Sequence, residues 1–147
     1  MSWLHPIRAI LSWLHPIRAT PRHTVLYVED NPTNLKLLKQ LIARRPELDL
    51  LTATNGIKGV ELARTFRPDV ILMDIFMPGM DGHETLKKIR EMEAERGDVR
   101  ATVFMVTGSS SPDDMFDALM QGGCDDYLTK PLMQQSFSDL LVKHGLS

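Results

Sequence analysis

Val70-Ile71-Leu72-Met73-Asp74 is the stretch whose reading decides the fold. Four consecutive apolar residues end on an acid. After Ile75 and Phe76 comes Met77-Pro78-Gly79-Met80-Asp81-Gly82. A run this short and apolar, stopped by Pro and Gly, reads as a strand buried on both faces that hands Asp74 to a loop. The pattern recurs on either side. Upstream, Val25–Val28 ends in Glu29-Asp30. Downstream, Thr102–Val106 ends in Thr107, and Tyr127-Leu128 leads to Lys130-Pro131. Leu48–Ala53 is a further strand-like run.

Helical spacing fills the intervals. Asn31-Pro32 is an N-cap and a first-turn proline ahead of Leu35, Leu38, Leu41 and Ile42. Asn55-Gly56 turns the chain into a second helix, with Ile57, Val60, Ala63 and Phe66 on one side and Pro68 beyond its end. Leu86, Ile89 and Glu93 mark a third, whose outer face carries Lys87, Lys88, Arg90 and Glu91. Ser111-Pro112-Asp113-Asp114 starts a fourth, with Met115, Phe116, Leu119 and Met120 expected mainly in the core, and Gly122-Gly123 stops it. Phe137, Leu140 and Leu141 belong to a last helix. Alternating buried strands and helices predict an α/β fold: one doubly wound, five-stranded parallel sheet, order 2-1-3-4-5, with five helices.

In such a fold ligands bind outside the carboxyl ends of the strands. There the topology collects Glu29, Asp30, Asp74, Thr107 and Lys130, which are far apart in sequence. Three carboxylates repel one another, and a hard divalent cation such as Mg²⁺ relieves the repulsion. Lys130 adds a mobile positive charge suited to a phosphoryl oxygen, and Thr107 a hydroxyl. An Asp carboxylate can itself be the nucleophile. These are parts for attacking and holding a phosphoryl group.

Val28-Glu29-Asp30-Asn31, Leu72-Met73-Asp74, Met77-Pro78-Gly79-Met80-Asp81-Gly82, Thr107 and Lys130-Pro131 together resemble the receiver domain of two-component response regulators, the CheY-like fold. The resemblance covers roughly residues 23–145. It implies that Asp74 accepts a phosphoryl group from a phosphohistidine on a sensor histidine kinase or a histidine phosphotransfer protein. It implies Mg²⁺ held directly by Asp30, Asp74 and the backbone carbonyl of Phe76, with Glu29 acting through water. Lys130 would pair with the phosphoryl group, Thr107 would move toward it, and Tyr127 would rotate inward as a coupled aromatic switch. A cis Lys130-Pro131 bond would aim the lysine. The altered surface would be the fourth helix, fifth strand and fifth helix. Phe76 and Ser109 occupy positions that influence phosphoryl lifetime in this family. Phe76 is bulky where many members are smaller or polar.

Other classes fit less well. A haloacid-dehalogenase-type hydrolase needs a second acid two residues after the nucleophile, where Phe76 stands. A flavodoxin-like cofactor carrier needs a phosphate-friendly loop where Glu29-Asp30 would repel phosphate. No GK[ST] sequence exists for a P-loop. The chain is read as a phosphoacceptor that catalyses its own phosphoryl transfer and slow dephosphorylation, and otherwise as no enzyme.

The 147 residues carry a net charge of −2, which argues against nucleic-acid binding by bulk charge. That value conceals two parts. Residues 1–22 are +3 and lack acids, whereas residues 23–147 are −5. Within the extension, Ser2–Ala9 recurs unchanged as Ser12–Ala19. A duplicated tail, a short helix for homodimerisation or docking, and a membrane-surface or targeting segment are its readings. Cys124 stands alone, so neither an intrachain disulfide nor a Cys-based zinc site is available, and a reducing, cytoplasmic setting is expected. No apolar run approaches ~18 residues. With Ser147 just beyond the last helix, the expectation is a receiver without an effector, stand-alone or excised from a hybrid kinase, read by another protein.

Overall fold

Every strand pairs parallel to its neighbours, as near-continuous apolar strands joined through helices require. The computed structural model describes residues 22–108, 112–120 and 122–146. The repeat at 2–19 lies outside them, as do Ser109 and Ser111. Strands His23–Val28 (β1), Leu48–Ala53 (β2), Val70–Asp74 (β3), Thr102–Thr107 (β4) and Asp126–Thr129 (β5) form one sheet of order β2-β1-β3-β4-β5. Helices Pro32–Ile42 (α1), Gly56–Phe66 (α2), Gly82–Arg96 (α3), Pro112–Met120 (α4) and Gln134–Lys143 (α5) make the crossovers. This is the expected topology. No helix among the described residues is long and apolar enough to cross a membrane.

Strand alternation divides the core into two. Val25, Tyr27, Val70, Leu72, Phe104, Val106 and Leu128 point to one face, where Leu35, Leu38 and Ile42 of α1 and Phe137 and Leu141 of α5 cover them. Leu26, Val28, Ile71, Met73, Val103 and Met105 point to the other, under Ala63 of α2 and Leu86, Ile89 and Met92 of α3. Each fully buried Val, Leu, Ile, Phe or Met side chain among them contributes roughly 1.5–3 kcal/mol.

Side chains cap the helices that lead away from the strand ends. The Asn31 side chain accepts from Thr33 N at 2.8 Å, with Pro32 in the first turn of α1. Asn55 accepts from Lys58 N at 2.8 Å, so Asn55 is the cap and Gly56 the first residue of α2. Asp81 accepts from Glu84 N at 2.9 Å and ends the loop after β3.

Two expectations about faces are corrected. In α2 the buried residues are Gly56, Gly59 and Ala63, while Ile57 is 70% and Phe66 54% exposed. The helix packs so close to β1 that a Cβ on Gly59 would lie 2.8 Å from Val28 Cγ2, so small residues make the contact. In α4, Phe116 is 62% and Met120 68% exposed, and Leu119 is also exposed. No described α4 side chain joins the buried cluster on its side of the sheet. The strand nearest to it, β5, is only four residues long and offers little surface to cover.

Candidate functional site

Four of the five strands, β1, β3, β4 and β5, deliver the site residues at their carboxyl ends. Beyond β1 stand Glu29, fully buried, and Asp30, exposed. β3 ends on Asp74, 2% exposed, and β4 on Thr107, equally buried. Lys130 follows β5, and its N–H donates to Thr107 O at 2.8 Å. Carboxylate oxygens of Glu29, Asp30 and Asp74 lie within 4.8 Å of one another. Lys130 Nζ sits 2.9 Å from Glu29 Oε1 and 3.2 Å from Asp74 Oδ1. The residues that the strand-end reading singled out are therefore together.

The charges of this cluster are unequal. Burial and the Glu29 carboxylate push Asp74 up to about 7, against the pull of Lys130. Burial also works against ionised Glu29, but hydrogen bonding with Asp74 and Lys130 and the Lys130 charge together hold it below the usual carboxylate range. Lys130 pays desolvation too, yet Glu29 and Asp74 raise its pKa above the ordinary lysine value. One lysine cannot satisfy two buried acids, so Asp74 is left to share a proton or meet another cation. Oxygen donors of this density suit a hard cation such as Mg²⁺, and their residue types fit one.

Two residues of the site were not singled out from sequence. Tyr27, read only as part of a strand, donates its hydroxyl to Glu29 Oε1 at 3.1 Å. Burial, then the Glu29 charge, hold its phenol well above the ordinary range, so it remains a donor. Asn34 Nδ2 donates to the same oxygen at 2.9 Å, and Asn31 N–H to Oε2 at 3.3 Å. Strand period offered a signal for Tyr27, which stands two residues before Glu29 and on its side of the chain. Asn34 carried no such signal beyond its place in the first turn of α1.

The loop after β3 is held by close backbone approach. Gly82 N–H donates to Ile75 O at 2.9 Å. A Cβ at Gly82 would stand 2.2 Å from Asp74 O and 2.9 Å from Ile75 Cα, so only glycine fits without displacement. Phe76 N–H donates to Asp74 Oδ1 at 3.3 Å, while its ring is 73% exposed beside the site. Tyr127 is half-buried in β5 and packs against the core cluster containing Met105, its register partner. The Lys130-Pro131 peptide is cis, as expected.

The sequence profile of the response regulator receiver domain matches residues 25–141. Over 119 residues the chain is 34% identical to the sensor histidine kinase GacS of Pseudomonas protegens, covering 81% of this chain and 13% of that protein. It thus spans a small part of that relative's length. It superposes with a TM-score of 0.76 and 31% identity on the receiver domain of the Saccharomyces cerevisiae response regulator Ssk1, solved with the histidine phosphotransfer protein Ypd1, covering 84% of this chain and 88% of that one. The receiver domain of a Pseudomonas aeruginosa sensor histidine kinase, solved with magnesium coordinated in its active-site cleft, gives a TM-score of 0.71 and 30% identity over 83% of this chain and 96% of that one. The strand order, the acidic cluster and these likenesses agree, and the chain belongs to the response regulator receiver domain family.

Proposed function

We propose that Asp74 is the phosphoacceptor. The observation that carries this is one buried carboxylate, Asp74, pushed up to about 7, 3.2 Å from Lys130 Nζ and clustered with the acids Glu29 and Asp30. An Asp74 carboxylate oxygen attacks phosphorus, the P–N bond of a phosphohistidine breaks, and the imidazole takes the electron pair as leaving group. Lys130 turns from Asp74 to a phosphoryl oxygen, and the Thr107 hydroxyl donates to another. Tyr127 follows Thr107 inward, which changes the face made by α4, β5 and α5, where Phe116 and Met120 already stand exposed. Asp30, Asp74 and the Phe76 carbonyl would hold Mg²⁺ directly. Glu29 would act through water, since both its oxygens already accept from Tyr27, Asn34, Lys130 and Asn31. An ion held there would supply positive charge to the phosphoryl oxygens.

The donor is a sensor histidine kinase or a histidine phosphotransfer protein; the Ssk1 receiver, solved with Ypd1, supports this. The α4-β5-α5 face is then read by a protein partner in a cytoplasmic setting. Incubation with a small phosphodonor and Mg²⁺ tests the centre of the reading. Wild type should gain an acid-labile phosphoryl group and Asp74→Ala should gain none. Equal labelling of the two, or none of wild type, would sink it.

A further inference from the structure

We propose that Arg90, on the far side of the domain from the acids, is a positioning residue: it fixes the register of β5 and so the place of Lys130 beside Glu29 and Asp74. This deepens the function just proposed and rests on it.

β5 needs such an anchor. It has four residues, stands at the edge of the sheet and, among the described residues, pairs only with β4. So few ladder bonds specify register weakly. Yet register matters, because Leu128 must enter one core and Tyr127 pack on the other. A one-residue slip would exchange them and carry Lys130 about 3.3 Å along the strand. Contacts of 2.9 and 3.2 Å to Glu29 and Asp74 do not survive that shift.

The anchor lies just before β5. Asp125 bonds both groups of Val103: its N–H donates to Val103 O, and its Oδ2 accepts from Val103 N, each at 2.8 Å. Arg90 holds this junction from α3. Its Nε and Nη2 donate to Gly123 O at 2.8 and 2.6 Å, and Nη2 reaches Asp125 Oδ2 at 3.4 Å. Its Nη1 donates to Ala101 O at 2.7 Å and to Glu93 Oε1 at 2.8 Å, while Glu93 Oε2 accepts from Ala101 N. The entries to β4 and β5 are thereby tied to α3 through one guanidinium, only 16% exposed. Arg100 adds an outer arm, donating to Asp125 Oδ1 at 2.6 Å and Gly123 O at 3.0 Å.

Backbone conformation makes the reach work. Gly122 and Gly123 have φ of +84 and +86, and a Cβ on Gly123 would lie 3.3 Å from Leu86 of α3. That approach presents the Gly123 carbonyl to Arg90. Since α3 begins at Gly82, bonded to Ile75, the residue after Asp74, Arg90 links the element that follows Asp74 to the strand that delivers Lys130. A lysine cannot copy this, because a single ammonium lacks the planar fork.

The test separates two ligands. Mg²⁺ alone reads the carboxylates, and beryllofluoride in saturating Mg²⁺, a phosphoryl mimic, also reads Lys130. With the full chain, Arg90→Met should keep Mg²⁺ affinity within about twofold and weaken beryllofluoride about tenfold, as displacement of a positioned group does. Arg90→Lys should not rescue it, and Lys130→Ala should lose at least as much. Unchanged beryllofluoride affinity in Arg90→Met, or a parallel loss of both ligands, overturns the proposal. Should Arg90→Met not fold, Arg100→Met removes the outer arm and should weaken beryllofluoride alone by about threefold; no change there overturns it. If wild type binds neither ligand, the reading of the site fails and this proposal falls with it.

Discussion

Lys130 Nζ stands between two buried carboxylates, 2.9 Å from Glu29 and 3.2 Å from Asp74, and it serves the first better than the second. Glu29 Oε1 also receives Tyr27 and Asn34, whereas Asp74 Oδ1 receives, besides the lysine, the long contact from Phe76 N–H. The asymmetry keeps Glu29 ionised and leaves Asp74 poised.

Removing Asp74's charge should stabilise the metal-free protein. Its folded pKa is raised to about 7, above the ordinary 3.8, so its ionisation opposes folding increasingly as pH rises between those values. Asp74→Asn should therefore melt higher than wild type in chelator at pH 8, by about 1–2 kcal/mol. The gain should fade as pH falls toward 4. Thermal melts across pH check this; a gain that does not vary with pH contradicts it.

Asp30 offers a cleaner probe of the cation. It is exposed, so Asp30→Asn should change metal-free stability by no more than about 0.5 kcal/mol. Wild type should gain about 2.7 kcal/mol at 100 times its Mg²⁺ dissociation constant. The variant should lose most of that gain at the same concentration. Equal Mg²⁺-dependent shifts in the melting temperature of both proteins would exclude Asp30 as a ligand.

Gly82→Ala should be costly for a steric reason. The added Cβ meets the Asp74 carbonyl, which is backbone and cannot rotate aside. A loss of about 3 kcal/mol in denaturant unfolding is expected, the upper range for overpacking. Gly79→Ala is the comparison: nothing lies within 4 Å, so only the strain of its φ of +80 remains, about 1 kcal/mol.

Tyr27→Phe removes one donor to Glu29 and keeps the ring in the core. Asn34 and Lys130 still satisfy that oxygen, so stability should fall by only about 1 kcal/mol. A loss above about 3 kcal/mol would mean the hydroxyl holds the whole cluster together.

The strands and the acids at their ends were legible because short apolar runs bounded by Pro, Gly and capping residues leave little choice of structure. Parallel order then brings Glu29, Asp30, Asp74, Thr107 and Lys130 to one edge. Helix faces were less legible. Ile57 and Phe66 follow a helical period yet face outward, because α2 touches β1 through glycines that a hydrophobicity pattern does not register. Phe116 and Met120 follow one too, over a strand too short to cover them.

By itself, then, the sequence determined the element order, the sheet topology and which strand-end side chains gather at one edge, since period and strand-end chemistry are local properties. Tertiary structure alone decided how charge is shared within the site, which needs distances between residues such as Glu29 and Lys130 that are 101 positions apart. It also decided that Tyr27 and Asn34 hold Glu29, and that Arg90 grips the entry to β5. Those bonds close only when separate elements pack, because hydrogen bonds depend on approach in space and not on spacing along the chain.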